Sequence, residues 1–167
     1  MADEVPSTGV EELPQALTHE LFELSMAIDL IGQASAARLG INQTDLICLW
    51  LLERRGPMGA GEVAAALGLT TAAISAMATR LEAGGYAHRE MDPTDRRRVV
   101  LHSLPAGAKK AFSLFDGLYR ASGELNARYS QRDQQKLIRM LREYRELISE
   151  YTTTVRAQSG GHSGAAT

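Results

Sequence analysis

The chain has 167 residues, a formal net charge of −2, 44% hydrophobic residues and 23% charged residues, which fits one soluble domain with a substantial core. No apolar run approaches the roughly 18 residues that a membrane span needs, and the single Cys48 excludes an internal disulfide. The N-terminus "MADEVPSTGV" lacks the basic start and apolar centre of a signal peptide, so the expected compartment is the cytoplasm, with no membrane partner.

Residues 1–10 and the tail "AQSGGHSGAAT" (157–167) are small, polar and Gly-rich, and are expected to be disordered. From Leu13 the pattern becomes helical. Leu17, Leu21, Leu24, Ile28 and Ile31 form one apolar stripe, and Gly40 ends it. A second helix starts after Asn42, with Asp45 near the positive end of its dipole. Its run "LICLWLLERR" is nearly all apolar, and Gly56–Pro57 stops it. Cys48 and Trp50 within that run read as core residues.

The segment "GAGEVAAALGLTTAAISAMATRLEAGGY" reads as a short helix from Gly61 to Leu67, a turn at Gly68, and a second helix from Thr71 to Ala83 capped by Thr70. Val63, Ala66, Leu67, Leu69, Ile74, Met77 and Leu81 are assigned to buried faces. A helix, a short Gly turn and a helix make the helix-turn-helix pattern. After Gly84–Gly85, "YAHREM" and "RVVLHSL" read as two strands joined by "DPTDRR", which makes a wing. Pro105 then opens a helical region to about Val155, with Ser130 as a break and cap. One stripe carries Phe112, Phe115, Leu118, Leu125 and Tyr129, and another carries Leu137, Met140, Leu141, Tyr144, Leu147, Ile148 and Tyr151.

The basic residues are mostly arginines, and Arg96, Arg97 and Arg98 stand together in the wing. At a projecting hairpin they remain solvated in the free protein. They can fork onto phosphates or enter a narrow minor groove, with counterion release making each contact favourable and salt-dependent. Asp92 and Asp95 can hold one guanidinium while its neighbours reach outward, Asp92–Pro93 sets the turn, and Arg89 extends the basic surface. A charge run by itself describes many solvated surfaces. Its position beside a helix-turn-helix and between strands is what points to duplex DNA.

"GEVAAALGLT", "ISAMATRLEAGGY" and "REMDPTDRRRVVLHSLPAG" together resemble the MarR family of bacterial transcriptional regulators. The wing's D-x-R element corresponds to Asp95 and Arg97, with Arg96 between them. The resemblance is densest over residues 42–107 and extends over about 12–155. It implies a mostly helical α+β fold of six helices and a small β-wing. That fold would be a single winged-helix domain over 11–156, with dimerisation segments 11–40 and 108–156 and a DNA-binding segment 41–107. The helix Thr71–Ala83 would enter the major groove and the wing would follow the minor groove. The implied DNA-contacting set is Thr70, Thr71, Ala72, Ser75, Ala76, Thr79, Arg80, Arg89, Asp95, Arg96, Arg97 and Arg98. A homodimer on a pseudo-palindromic operator is implied, as is repression relieved by a small effector, often an aromatic acid, between two lobes. A pocket there would draw on residues near Trp50, Phe112 and Phe115, which are equally good core residues.

The chain departs from the family pattern in three places. Ala76 stands where a long polar residue is frequent, and Thr79 where an Asp is common. "HSLPAG" replaces a Leu-Thr-Pro sequence, which leaves Ser103 as a possible early cap. Small side chains allow close approach and thymine-methyl contact but few bidentate base contacts. Arg80, late in the helix, is positioned for a phosphate or an acid.

Enzymatic readings lack a phosphate loop, a dinucleotide fingerprint or a supported catalytic triad. No cofactor or dense metal-ligand set is apparent, because His19, His88 and His102 are scattered, although His88 and His102 could face each other across the hairpin. A metal-responsive regulator and a winged-helix protein-interaction module are the alternatives. Salt-dependent retention on random duplex DNA would distinguish the DNA reading from the latter.

Overall fold

The computed structural model describes residues 12–92, 95 and 98–160. The chain divides into two compact units, parting between Leu114 and Phe115. The first contains α1 (Glu12–Leu39), α2 (Gln43–Arg55), β1 (Met58–Gly59), α3 (Ala60–Leu67), α4 (Thr71–Ala83), β2 (Ala87–Met91), β3 (Val99–Ser103) and α5 (Pro105–Phe112). A short 3-10 turn covers Ser113–Phe115. The second unit contains α6 (Asp116–Asn126) and α7 (Gln131–Gly160).

The first unit is mostly helical, with a three-stranded antiparallel sheet in the order β1-β3-β2. Its core draws Leu46, Cys48, Leu49 and Leu52 from α2, Val63 from α3, and Ile74, Met77 and Leu81 from α4. Tyr86, Leu101 and Ala111 close the core around them. Burying each large apolar side chain contributes about 1.5–3 kcal/mol, so this cluster can orient the surface elements attached to it. The Tyr86 hydroxyl donates to the Leu39 carbonyl at 2.9 Å, and Lys110 lies over its ring. Gly107 permits a close approach, since a Cβ there would lie 2.4 Å from the Gly85 carbonyl oxygen and 2.6 Å from the Tyr86 Cα.

Several elements differ from the sequence expectation. β1 is a third strand in the sheet, pairing Met58 with Leu101 and Gly59 with Val100. The helical region after Pro105 is interrupted at Ser113–Phe115 as well as before α7, so the described residues form seven α-helices rather than six. Ser103 does not cap α5. Its hydroxyl donates to Glu53, while Leu104 occupies the cap position and Pro105 starts the helix. A proline is suited to that first position because its missing N–H would have had no helical partner. Ser130 does cap α7, accepting from the Asp133 N–H at 3.2 Å and donating to its carboxylate at 2.6 Å.

Trp50 is 47% exposed rather than core, because it shares the outward face of α2 with Ile47 and Arg54. The Arg54 guanidinium lies 5.7 Å from its ring centre. Ala66 and Leu69 are exposed, whereas Ala64 and Ala78 take core positions. α7 continues through Gly160, so residues 157–160 of the expected disordered tail are helical. The expectations for 1–10 and 161–167 lie outside the described residues. No single helix among the described residues is long and apolar enough to cross a membrane.

Candidate nucleic-acid interface

The α3–α4 connection is built by local chemistry. Gly68 has φ 66°, a left-handed conformation that a residue without Cβ adopts at little cost. Its N–H returns to the Ala64 carbonyl. Thr70 then caps α4 by accepting from the Ala73 N–H at 3.2 Å. The two helices meet at a bend of 107°, within the helix-turn-helix range. Ile74, Met77, Ala78 and Leu81 bury one face of α4. Thr71, Ala72, Ser75, Ala76 and Thr79 are exposed, as is the cap residue Thr70.

The wing places a different chemistry beside this helix. β2 and β3 pair from Ala87↔Ser103 through Met91↔Val99. Thr71, Ser75, Arg89 and Val99 line one recess, so the helix and hairpin share a surface. Toward the wing connection, the Asp92 N–H donates to the Arg98 carbonyl at 2.9 Å, and the Arg98 N–H donates to the Asp95 carbonyl at 2.8 Å. The Asp92 carboxylate accepts from the Asp95 N–H at 3.3 Å. Arg96 and Arg97 lie outside the described residues.

The described arginines of the expected site are oriented by acids that sequence spacing did not identify. Arg98 pairs with Glu62 at 2.7 Å. The Gly59 N–H also donates to that carboxylate at 2.7 Å. The Gly59 hydrogen bond, followed by Arg98, lowers the Glu62 pKa from its ordinary value. Arg89 forks onto Glu82 and also reaches the Thr79 hydroxyl at 3.3 Å. Its side-chain bond to Glu82, followed by its own N–H, lowers the Glu82 pKa. Glu82 in turn raises the pKa of Arg89.

Arg80 performs a bidentate recognition inside the protein. Its Nε and Nη2 donate to Asp45 Oδ2 and Oδ1 at 3.0 and 2.7 Å. Asp45 is fully buried, while the Arg80 side chain remains 45% exposed. Asp45 also accepts from the Asn42 N–H at 3.3 Å. The Asp45 hydrogen bonds hold the Arg80 pKa up. Of the sequence alternatives for Arg80, an acid partner is the one observed, and it ties α4 to the start of α2. Cys48 is also fully buried. Desolvation, followed by the neighbouring Asp45 charge, pushes its pKa up to about 11, which disfavours thiolate chemistry.

Comparison with known proteins matches the MarR family model over residues 41–99. The HTH-type transcriptional regulator YcgE of Bacillus subtilis (strain 168) is 34% identical over 139 residues, spanning 83% of this chain and 90% of the relative. A MarR family protein from Bacillus stearothermophilus shares the fold with TM-score 0.67 and 17% identity, covering 85% of this chain and 99% of the other. RV1404 from Mycobacterium tuberculosis shares it with TM-score 0.63 and 21% identity, covering 79% of this chain and 92% of the other. The helix-turn-helix, the paired wing and these matches place the chain in the MarR family of DNA-binding winged helix-turn-helix transcriptional regulators, a family of regulators and not of enzymes.

Proposed function

We propose that the chain acts in the cytoplasm as a homodimeric, ligand-responsive repressor that binds a pseudo-palindromic operator. The observation carrying the DNA reading is the shared surface of the exposed α4 residues Thr71 and Ser75 with Arg89 of the hairpin. In this reading Thr70, Thr71, Ala72, Ser75, Ala76 and Thr79 approach base edges or nearby phosphates. Arg89, Arg96, Arg97 and Arg98 supply the cationic wing, with Asp95 shaping its turn. Arg80 acts chiefly by orienting α4.

Apolar exposure supports the dimer. Leu24, Ile28 and Leu30 on α1, and Leu147, Ile148 and Tyr151 on α7, are each more than half exposed in the single chain. Covering such residues provides a hydrophobic driving force for association. A symmetric dimer would present its recognition helices to half-sites about 34–36 Å apart. The family resemblance supports a small effector, an aromatic acid being one class.

Titration of operator and scrambled duplexes at several salt concentrations tests the DNA reading. Arg97→Ala should weaken binding to both and reduce the salt slope by about 1 per lost contact, or about 2 in a dimer. An unchanged slope on both duplexes would remove the wing from the interface. Sedimentation alongside should give a dimer, whereas a folded monomer would refute the assembly.

A further inference from the structure

The outer face of the wing carries a cluster that the DNA reading does not use. His88 and Glu90 are two positions apart on β2, so the strand's period of two puts them on the same face. His102 on β3 is the register partner of His88, and Glu90 pairs with the adjacent Val100. All three residues therefore stand on one patch of the ladder. Ala87 and Leu101, on the alternate face, are buried. The histidines and the glutamate are thus not needed to fill the core.

The atomic arrangement is suited to a divalent cation. Glu90 Oε2 lies 3.4 Å from His102 Nε2 and 3.9 Å from His88 Nε2. One candidate ligand atom from each residue falls within 4.8 Å of the others. Zinc bonds of about 2.0–2.1 Å place neighbouring ligand atoms of a tetrahedron ~3.3 Å apart, close to the Glu90–His102 spacing, and rotation of the stacked imidazoles about their side-chain bonds would turn both ring nitrogens toward one ion. The imidazole rings stack at 5.0 Å with a 23° angle between their planes. Their side chains are 45% and 28% exposed, and that of Glu90 is 60% exposed, leaving an entry path and room for water. Two imidazoles and a carboxylate match zinc-class ligand chemistry.

We propose that His88, Glu90 and His102 form a site for one zinc-class divalent cation, with water completing its coordination. The ion joins the edge strand β2 to the central strand β3 and restrains the hairpin that carries Arg89 and Arg98. The backbone ladder already brings the ligands together, so coordination requires no rearrangement of strand pairing. This site goes beyond the proposed DNA activity and does not depend on it.

Zn2+ titration of the chelator-treated, full-length protein against a chromophoric chelator provides the test, with Co2+ as a visible-absorption probe. The expected stoichiometry is one ion per chain. Even the outer partner of a metal ligand is worth about 10–100-fold in affinity, so His88→Gln and His102→Gln should each weaken Zn2+ binding by more than about tenfold. Glu90→Gln should weaken it in the same direction. The double histidine variant should lose the Co2+ absorption while retaining its metal-free far-ultraviolet circular dichroism. His19→Gln should leave both binding and absorption intact. Absence of stoichiometric Zn2+ binding by the parent, retention of binding by a folded His88→Gln/His102→Gln variant, or loss of binding in a folded His19→Gln variant would overturn the assignment.

Discussion

α4 and the wing hairpin present different side-chain chemistries on the surface they share. The exposed part of α4 offers methyl groups and short hydroxyls at Thr71, Ala72, Ser75, Ala76 and Thr79. These occupy little space and permit a close helix approach. On the wing, Arg89 is held by Glu82 and Arg98 by Glu62. Their length becomes useful because acids limit where the cationic ends sit. The contrast teaches that a cation on this face is not automatically a DNA contact. Arg80 belongs to α4, yet its fork closes on Asp45.

Breaking the Arg80–Asp45 pair should produce the largest effect. Arg80→Ala would leave the buried Asp45 carboxylate without its cationic partner. Breaking a fully buried pair costs about 3–5 kcal/mol, and the partial exposure of Arg80 puts the expected loss near or below the lower end. Urea denaturation at fixed protein concentration should show that destabilisation. Joint replacement by Asp45→Leu and Arg80→Leu should recover much of it, because both charges are removed together. If Arg80 instead acts mainly on DNA, Arg80→Ala would leave stability nearly intact while weakening phosphate binding.

Ser75 gives a smaller and sharper test of the helix side. Its side chain is exposed, and its carbonyl receives the Thr79 hydroxyl bond at 3.1 Å. Ser75→Ala preserves a small helix-compatible side chain while deleting its hydroxyl. If Ser75 reads a base, the expected loss is about 1 kcal/mol on operator DNA, with little change on a scrambled duplex. Equal weakening on both duplexes would assign the hydroxyl to backbone positioning rather than sequence discrimination.

The helical part of this design was legible because its start and stop signals were local. Thr70 forecast the α4 cap, and Gly84–Gly85 marked the break after it. The paired wing strands were also legible from their apolar and β-branched residues. β1 was not, because two residues carry no useful alternation and its existence depends on the open side of β3. Trp50 was misplaced because the nearly uniform apolar run of α2 conceals which side faces outward. The Asp45–Arg80 pair was only half legible. An acid partner for Arg80 could be anticipated, but the two residues lie 35 positions apart and tertiary folding brings their functional atoms together. The same limit hid Glu62 as the partner of Arg98, whereas Glu82 lies only seven positions before Arg89 and meets it because the chain turns between α4 and β2.

Glu62 supplies the smallest test, through the pH dependence of stability. Its pKa is lowered from 4.5 in the folded protein, first by the Gly59 N–H and then by Arg98. The unfolded chain therefore binds a proton at this position more readily than the folded chain. The favourable contribution is present above the unfolded value near 4.5 and is lost as pH falls through the lower folded value. Glu62→Gln removes that titration and should flatten part of the acid limb of a stability-versus-pH curve, while Glu82 continues to titrate in the same direction. Glu62 is exposed, so screening keeps its effect smaller than loss of the buried Asp45 partner. Chemical denaturation from pH 6 downward, at constant ionic strength and protein concentration, measures the difference. Parallel parent and Glu62→Gln curves through the acid range would show that the Gly59–Glu62–Arg98 contact does not supply the linkage. A flatter variant curve would establish that the acid held by the Gly59 N–H and Arg98 links folding stability to pH.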